Sequence, residues 1–129
     1  MNVLLDTEAL LLLVSRPDLL DIDAHTTLSD IGTNIWVSAA SAWEISTKAR
    51  LGRIKADPLL STWGDVLGDM AVTELSIDTA DTILAGRLPW ENTDPFDRVI
   101  VAQALRRNLT LATRDSKIIQ AAITPTLVI

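Results

Sequence analysis

Short apolar runs alternate with longer helical stretches along this chain, and the alternation predicts strands separated by helices. Asn2-Val3-Leu4-Leu5 reads as a short buried strand, and Thr7 to Val14, apolar almost all round, as a buried helix. Pro17 opens a second helix reaching about Asp30, because proline is tolerated in a first helical turn. Ile35 to Val37 is a second strand. Ser38 or Ser41 can cap the helix that follows it to Leu51, and Gly52 ends that helix. Pro58 to about Asp69 reads as a further helix, weakened by Gly64 and Gly68.

Val72 to Leu75 gives a third strand, and Asp78 to Arg87 a helix that stops before Pro89. Asp94 and Pro95 look like the N-cap and first residue of a helix reaching Arg107, with Asn108 supplying the turn. Leu109 to Ala112 is a fourth strand, Ser116 to Ala122 a short helix, and Leu127 to Ile129 a last strand. Strands separated by helices pair in parallel through right-handed crossovers. The expected fold class is α/β, a three-layer α/β/α sandwich with a central parallel sheet, in one domain spanning residues 1–129.

On that frame four carboxylates acquire a common address. Asp6 and Asp115 each directly follow a strand, whereas Glu44 and Asp97 lie early in helices. Ligands of an open parallel sheet bind beyond the carboxyl ends of its strands, so all four can face one crevice. Each has a plainer reading. Asp6 and Asp115 suit N-caps, and Asp97 suits the third position of a helix capped by Asp94. Glu44 is the most informative, because it sits in the mostly apolar stretch Ala39-Ala40-Ser41-Ala42-Trp43-Glu44-Ile45, where burial demands a partner. Converging carboxylates repel one another, and hard divalent cations with oxygen ligands are the usual remedy.

Other chemistries lack parts. With no cysteine there is no thiolate nucleophile, disulfide framework or cysteine zinc site. His25 is the single histidine, placed in an expected surface helix, and no Gly-x-Ser-x-Gly elbow exists. The five glycines are dispersed and form no phosphate-binding loop. A receiver-type phosphoacceptor needs adjacent acids after its first strand and a lysine after a late one; Asp6 is followed by Thr7, and that lysine is missing. A net charge of −6 argues against a nucleic-acid partner, but Lys48, Arg50, Arg53 and Lys55 form a local basic cluster. The same cluster also suits a solvated helix end. No segment reaches the roughly eighteen apolar residues of a membrane span. The apolar start lacks a basic flank, so it does not read as a signal peptide, and a cytoplasmic location is expected.

Four fragments in order carry a resemblance: Leu4-Leu5-Asp6-Thr7; Val37-Ser38-Ala39-Ala40-Ser41-Ala42-Trp43-Glu44-Ile45 with Lys48 and Leu51-Gly52-Arg53; Asp94-Pro95-Phe96-Asp97-Arg98 with Ala102-Gln103-Ala104; and Leu109-Thr110-Leu111-Ala112-Thr113-Arg114-Asp115. Together they resemble the PIN-domain ribonucleases, and among them the VapC-type toxins of toxin–antitoxin pairs, along nearly the whole chain. The resemblance implies hydrolysis of RNA phosphodiesters, with Asp6, Glu44, Asp97 and Asp115 as the acidic quartet for one or two magnesium or manganese ions. Asp6, Asp97 and Asp115 would hold metal, and Glu44 would ligate it or orient water. Thr113 and Thr7 support the site, Asp94 is an accessory acid or only a cap, and Lys48, Arg53 and Arg98 are candidates for steering phosphate. Implied partners are structured tRNA or ribosomal RNA, a cognate antitoxin and a second copy of the chain, with no membrane.

Departures from the family pattern are Glu8 after Asp6-Thr7 and the stretch Glu91-Asn92-Thr93. The competing reading is a catalytically silent PIN-like module that binds RNA or protein.

Overall fold

The computed structural model describes residues 1–129. Strand β1 (Asn2–Leu5) leads into helix α1 (Thr7–Ser15), a 3-10 turn at Pro17–Leu19, α2 (Ile22–Ser29) and β2 (Asn34–Ser38). Helices α3 (Ala39–Arg50), α4 (Asp57–Ser61) and α5 (Trp63–Asp69) then precede β3 (Val72–Leu75). The second half holds α6 (Thr79–Arg87), α7 (Pro95–Arg107), β4 (Thr110–Thr113), α8 (Ser116–Ala121) and β5 (Thr126–Val128). All four strand pairings are parallel, in the order β3-β2-β1-β4-β5. Helices cover both faces, as the α/β/α expectation requires.

The strand order creates the place where a site can form. From β1 the chain builds outward through β2 to β3, then returns to lay β4 on the other side of β1. Connections leaving β1 and β4 therefore diverge to opposite faces and open a crevice at the carboxyl edge between those two strands. Packing bears this out. Val3 and Leu5 join one core layer with Leu10 of α1, whereas Leu4 joins the other with Ile100 of α7 and Ile118 of α8. The period of two along β1 thus sends alternate side chains into two cores, and all three are fully buried.

Local polar groups set several boundaries. The helix expected from Pro17 to Asp30 is broken, because Leu20 is extended and Asp21 caps a new start by accepting from the N–H groups of Asp23 and Ala24. The helix expected from Pro58 to Asp69 is likewise two, parted at Thr62, whose hydroxyl donates back to the Pro58 carbonyl at 2.7 Å. Gly64 and Gly68 lie inside α5 and do not mark the break. Ser38, not Ser41, caps α3. Asn108 ends α7 in the left-handed conformation expected of its turn.

Helices α6 and α7 are clasped by one buried carboxylate. Asp81 has no exposed surface and accepts from the Asp78 N–H, Gln103 Nε2, Arg106 Nη1 and both terminal nitrogens of Arg107. Burial opposes its charge, but hydrogen bonds from Arg107, the Asp78 backbone, Arg106 and Gln103 outweigh burial and hold it well below the usual carboxylate range. Asp81→Ala strips the two arginines of this shared counter-ion and should lower unfolding free energy by about 3 kcal/mol, read from urea midpoints near neutral pH. Asp78→Ala removes a helix cap and the outer ion pair, and should cost nearer ~1 kcal/mol.

Candidate active site

The crevice at the β1/β4 switch point is a cleft of about 340 Å³, and Asp6, Glu8, Glu44, Asp94, Asp97 and Asp115 all line it. Thr7, Lys48 and Lys117 complete its polar wall. Three of these acids are also helix caps. Asp6 accepts from the Ala9 N–H at 2.7 Å, Asp94 from those of Phe96 and Asp97 at 2.8 and 3.1 Å, and Asp115 from that of Lys117 at 2.9 Å. In these three residues helix capping and lining of the cleft therefore coexist. Capping ties each carboxylate to a helix start, and strand ends β1 and β4 aim two of those starts at the same crevice.

The remaining acids are placed by packing. Trp43 and Phe96 meet edge to face, with ring centroids 4.6 Å apart and planes inclined by 74°. Each aromatic immediately precedes a site acid, so this contact between α3 and the start of α7 sets Glu44 and Asp97 across the cleft. Glu44 is buried and finds the partner its apolar setting demands in Lys48, whose Nζ donates to Oε2 at 2.6 Å one helical turn on. Lys48 is thus committed to Glu44 while still facing the cleft. The Thr7 hydroxyl donates to Ser41 Oγ at 3.0 Å and fastens α1 to α3.

Electrostatics shows how closely the acids interact. Burial, chiefly, pushes Asp6 up from 3.8 to about 6, with Glu8 and Asp97 adding repulsion and hydrogen bonds from Thr113 and Ala9 opposing it. Asp97 also rises to about 6, again first through burial. An Asn92 hydrogen bond works against the rise, and the charges of Asp94, Asp115 and Glu44 work with it. Thr113, fully buried, additionally accepts from the Asp115 N–H at 3.0 Å, so one hydroxyl connects two site acids.

Two sequence expectations meet a different arrangement. Arg98, expected to steer phosphate, instead donates to four backbone carbonyls, those of Ala85, Leu88, Trp90 and Asn92, at 2.7–2.8 Å. A rigid fork of five N–H donors can serve several carbonyls at once, and here the guanidinium closes the end of α6 and folds the following loop. Arg53 is exposed in the turn after α3 and outside the cleft lining. Sequence reasoning overlooked Asn92, whose Nδ2 donates to Asp97 Oδ2 at 3.0 Å, and Lys117, two residues beyond Asp115. Proximity to an acid in a loop or short helix was the available signal for both. His25 lies on α2, outside the cleft.

The donor set is oxygen only, which suits a hard cation such as magnesium or manganese. No three acidic side chains stand at ready-made metal-binding spacing. Magnesium keeps several waters and takes one or two carboxylates, so it does not require them to. Burial and mutual repulsion of the acids supply the drive for a cation to enter.

The PIN domain family model matches residues 3–123, and the chain belongs to that family. No curated protein sequence matches it. Among solved structures it is similar to VapBC2 from Rickettsia felis bound to a DNA fragment from its promoter, with 15% identity, a TM-score of 0.71 and 98% of each chain covered. DNA-bound VapBC from Salmonella typhimurium is similar at 16% identity and a TM-score of 0.66, covering 98% of this chain and 97% of that one. A toxin–antitoxin complex from Klebsiella pneumoniae gives 16%, 0.65, 98% and 96% in the same order. At these identities the likeness is one of fold.

Because Asp6 and Asp97 hold protons more tightly folded than unfolded, protonation stabilises the metal-free protein fully below about pH 4, and this contribution is lost as pH rises through about 6. For Asp6 alone the loss is ~2–3 kcal/mol. Urea midpoints of metal-free protein should fall between about pH 4 and about pH 7, and fall less in Asp6→Asn. A profile flat across that window in the wild type refutes the burial account.

Proposed function

We propose that this PIN domain is a metal-dependent endoribonuclease acting as the toxin of a toxin–antitoxin pair. The observation that carries the reading is the convergence of Asp6, Glu44, Asp97 and Asp115 on one cleft at the sheet's switch point. Solved toxin–antitoxin complexes of the same fold support the toxin role and an antitoxin as partner.

Asp6, Asp97 and Asp115 would hold magnesium, one or two of them directly and the rest through its waters, with manganese able to replace it. When bound, the ion supplies Lewis acidity toward a phosphoryl oxygen and makes water a stronger nucleophile. The chain's own groups position the rest. Thr113 orients Asp6, and Asn92 holds Oδ2 of Asp97. Lys48 fixes Glu44 through Oε2, leaving Oε1 to accept a hydrogen bond from the attacking water or to join the metal shell. Lys117 and the exposed part of Lys48 line the cleft where a phosphodiester would lie, and offset part of the net charge of −6. The substrate class is structured RNA cut at exposed loops, such as tRNA or ribosomal RNA, in the cytoplasm. The chain would pair with a second copy of itself as a homodimer.

The alternative, a silent module that binds RNA or protein, draws on the Lys48–Glu44 pair, which already neutralises one acid without metal.

Incubating total RNA with purified, antitoxin-free protein in magnesium, manganese or EDTA decides between them. Discrete fragments should form only with metal, and Asp6→Asn or Asp97→Asn should slow cleavage by more than ~100-fold, beyond what loss of a mere supporting partner costs. Asparagine keeps an oxygen for the Ala9 N–H and for Asn92, so both variants should fold. Magnesium should raise the wild-type melting temperature near neutral pH but not that of Asp97→Asn. Absence of cleavage together with absence of metal stabilisation leaves the silent module.

A further inference from the structure

Beside the cleft, between α8 and the loop that precedes α7, lies a second cavity of about 610 Å³, larger than the cleft itself. Lys117 lines both, so the two open onto one continuous surface. Asn92 joins them chemically. It lines the larger cavity, while its amide nitrogen holds Asp97 and its amide oxygen accepts from the Asp94 N–H. Arg98 fixes the wall itself by gripping the carbonyls of Trp90 and Asn92.

The other wall residues are of types that recognise a nucleobase. Trp90 is half-buried and packed against the core layer of α7, which makes its ring a rigid stacking surface. Glu91, Thr93 and Gln120 are exposed around it and offer acceptors and donors for a base edge. Lys117, at the shared rim, stands where the phosphate joining this base to the cleft would pass. The cavity volume falls within the range that takes a nucleotide-sized ligand.

We infer that this cavity receives one unstacked base of the RNA strand, next to the phosphodiester held in the cleft. The inference rests on the nuclease reading above and extends it to specificity. Glu91, which when ionised can only accept hydrogen bonds, favours bases that carry an exocyclic amino group, namely adenine, cytosine and guanine, over uracil, whose one donor, N3–H, is flanked by two carbonyl oxygens that repel a carboxylate.

The test is titration of the four nucleoside 5′-monophosphates into the full-length protein in EDTA, followed by tryptophan fluorescence. Cytidine monophosphate should quench saturably, and uridine monophosphate should bind roughly fivefold more weakly, the worth of one hydrogen bond. Glu91→Ala should erase that preference, Gln120→Ala should weaken binding of the others by a similar factor, and Trp90→Phe should remove the quench. Saturable binding by none of the four overturns the inference. So does quenching that survives unchanged in Trp90→Phe with affinities unchanged in Gln120→Ala, because the site is then elsewhere. Binding is read without metal and so is separable from cleavage. Protein that cuts RNA with magnesium but binds no mononucleotide keeps the nuclease reading and loses the base pocket; protein that binds them and never cuts does the reverse.

Discussion

Burial of carboxylates gathered at the β1/β4 edge, with their mutual repulsion added to it, is the constraint around which this structure is arranged. Burial first, and neighbouring charge after it, push both Asp6 and Asp97 up to about 6. A fold that keeps such a group in place must offset its cost locally. Here the offsets are the helix-start N–H groups that Asp6, Asp94 and Asp115 cap, the Thr113 hydroxyl, the Asn92 amide and the Lys48 ammonium. Each is a short-range contact that stabilises one acid without cancelling the field of the whole cluster. That residual field is what a divalent cation would relieve.

The second requirement is rigidity, since acids from four separate segments must stay aligned. Contacts at the two ends of α7 supply it. At its start, Phe96 packs on Trp43 and sets α7 against α3, while Arg98 ties down the preceding loop. At its other end Asp81 holds Gln103, Arg106 and Arg107 against α6. The helix is thus anchored at both ends, with Asp97 of its first turn left facing the cleft, and Arg98 beside it and the arginines of its last turn consumed by structure. An acid saturated by two arginines and an amide, as Asp81 is, has no capacity left for a metal. Asp97, held by one asparagine, does.

Much of this was legible in the chain. The period of two through Val3-Leu4-Leu5, the Asp-Pro start at Asp94 and Pro95, and the strand-then-acid pattern at Asp6 and Asp115 are local signals, and local physics produces them. Glu44 announced a partner because it sits in an apolar turn, and Lys48 one turn later provides it. The grip of Arg98 on the backbone was not legible for the opposite reason: its four carbonyl partners lie six to thirteen residues back, in the last turn of α6 and in the loop after it, whose path no periodicity describes. The divided helices at Leu20 and Thr62 were missed because one side chain at each place, Asp21 or Thr62, redirects a backbone that propensity alone would continue.

What the sequence determined by itself was the inventory: which segments are strands and helices, which acids cap them, and that no cysteine, histidine pair or glycine loop offers a different chemistry. Tertiary structure alone decided which of those acids share a cleft, which cations face it and which are spent on the backbone. It also created the cavity beside Trp90, whose walls come from two segments more than twenty residues apart. The reason is that capping and periodicity act over one helical turn or one strand. Coulombic neighbours and cavity walls depend on the strand order, which brings β4 beside β1 across about a hundred residues of chain.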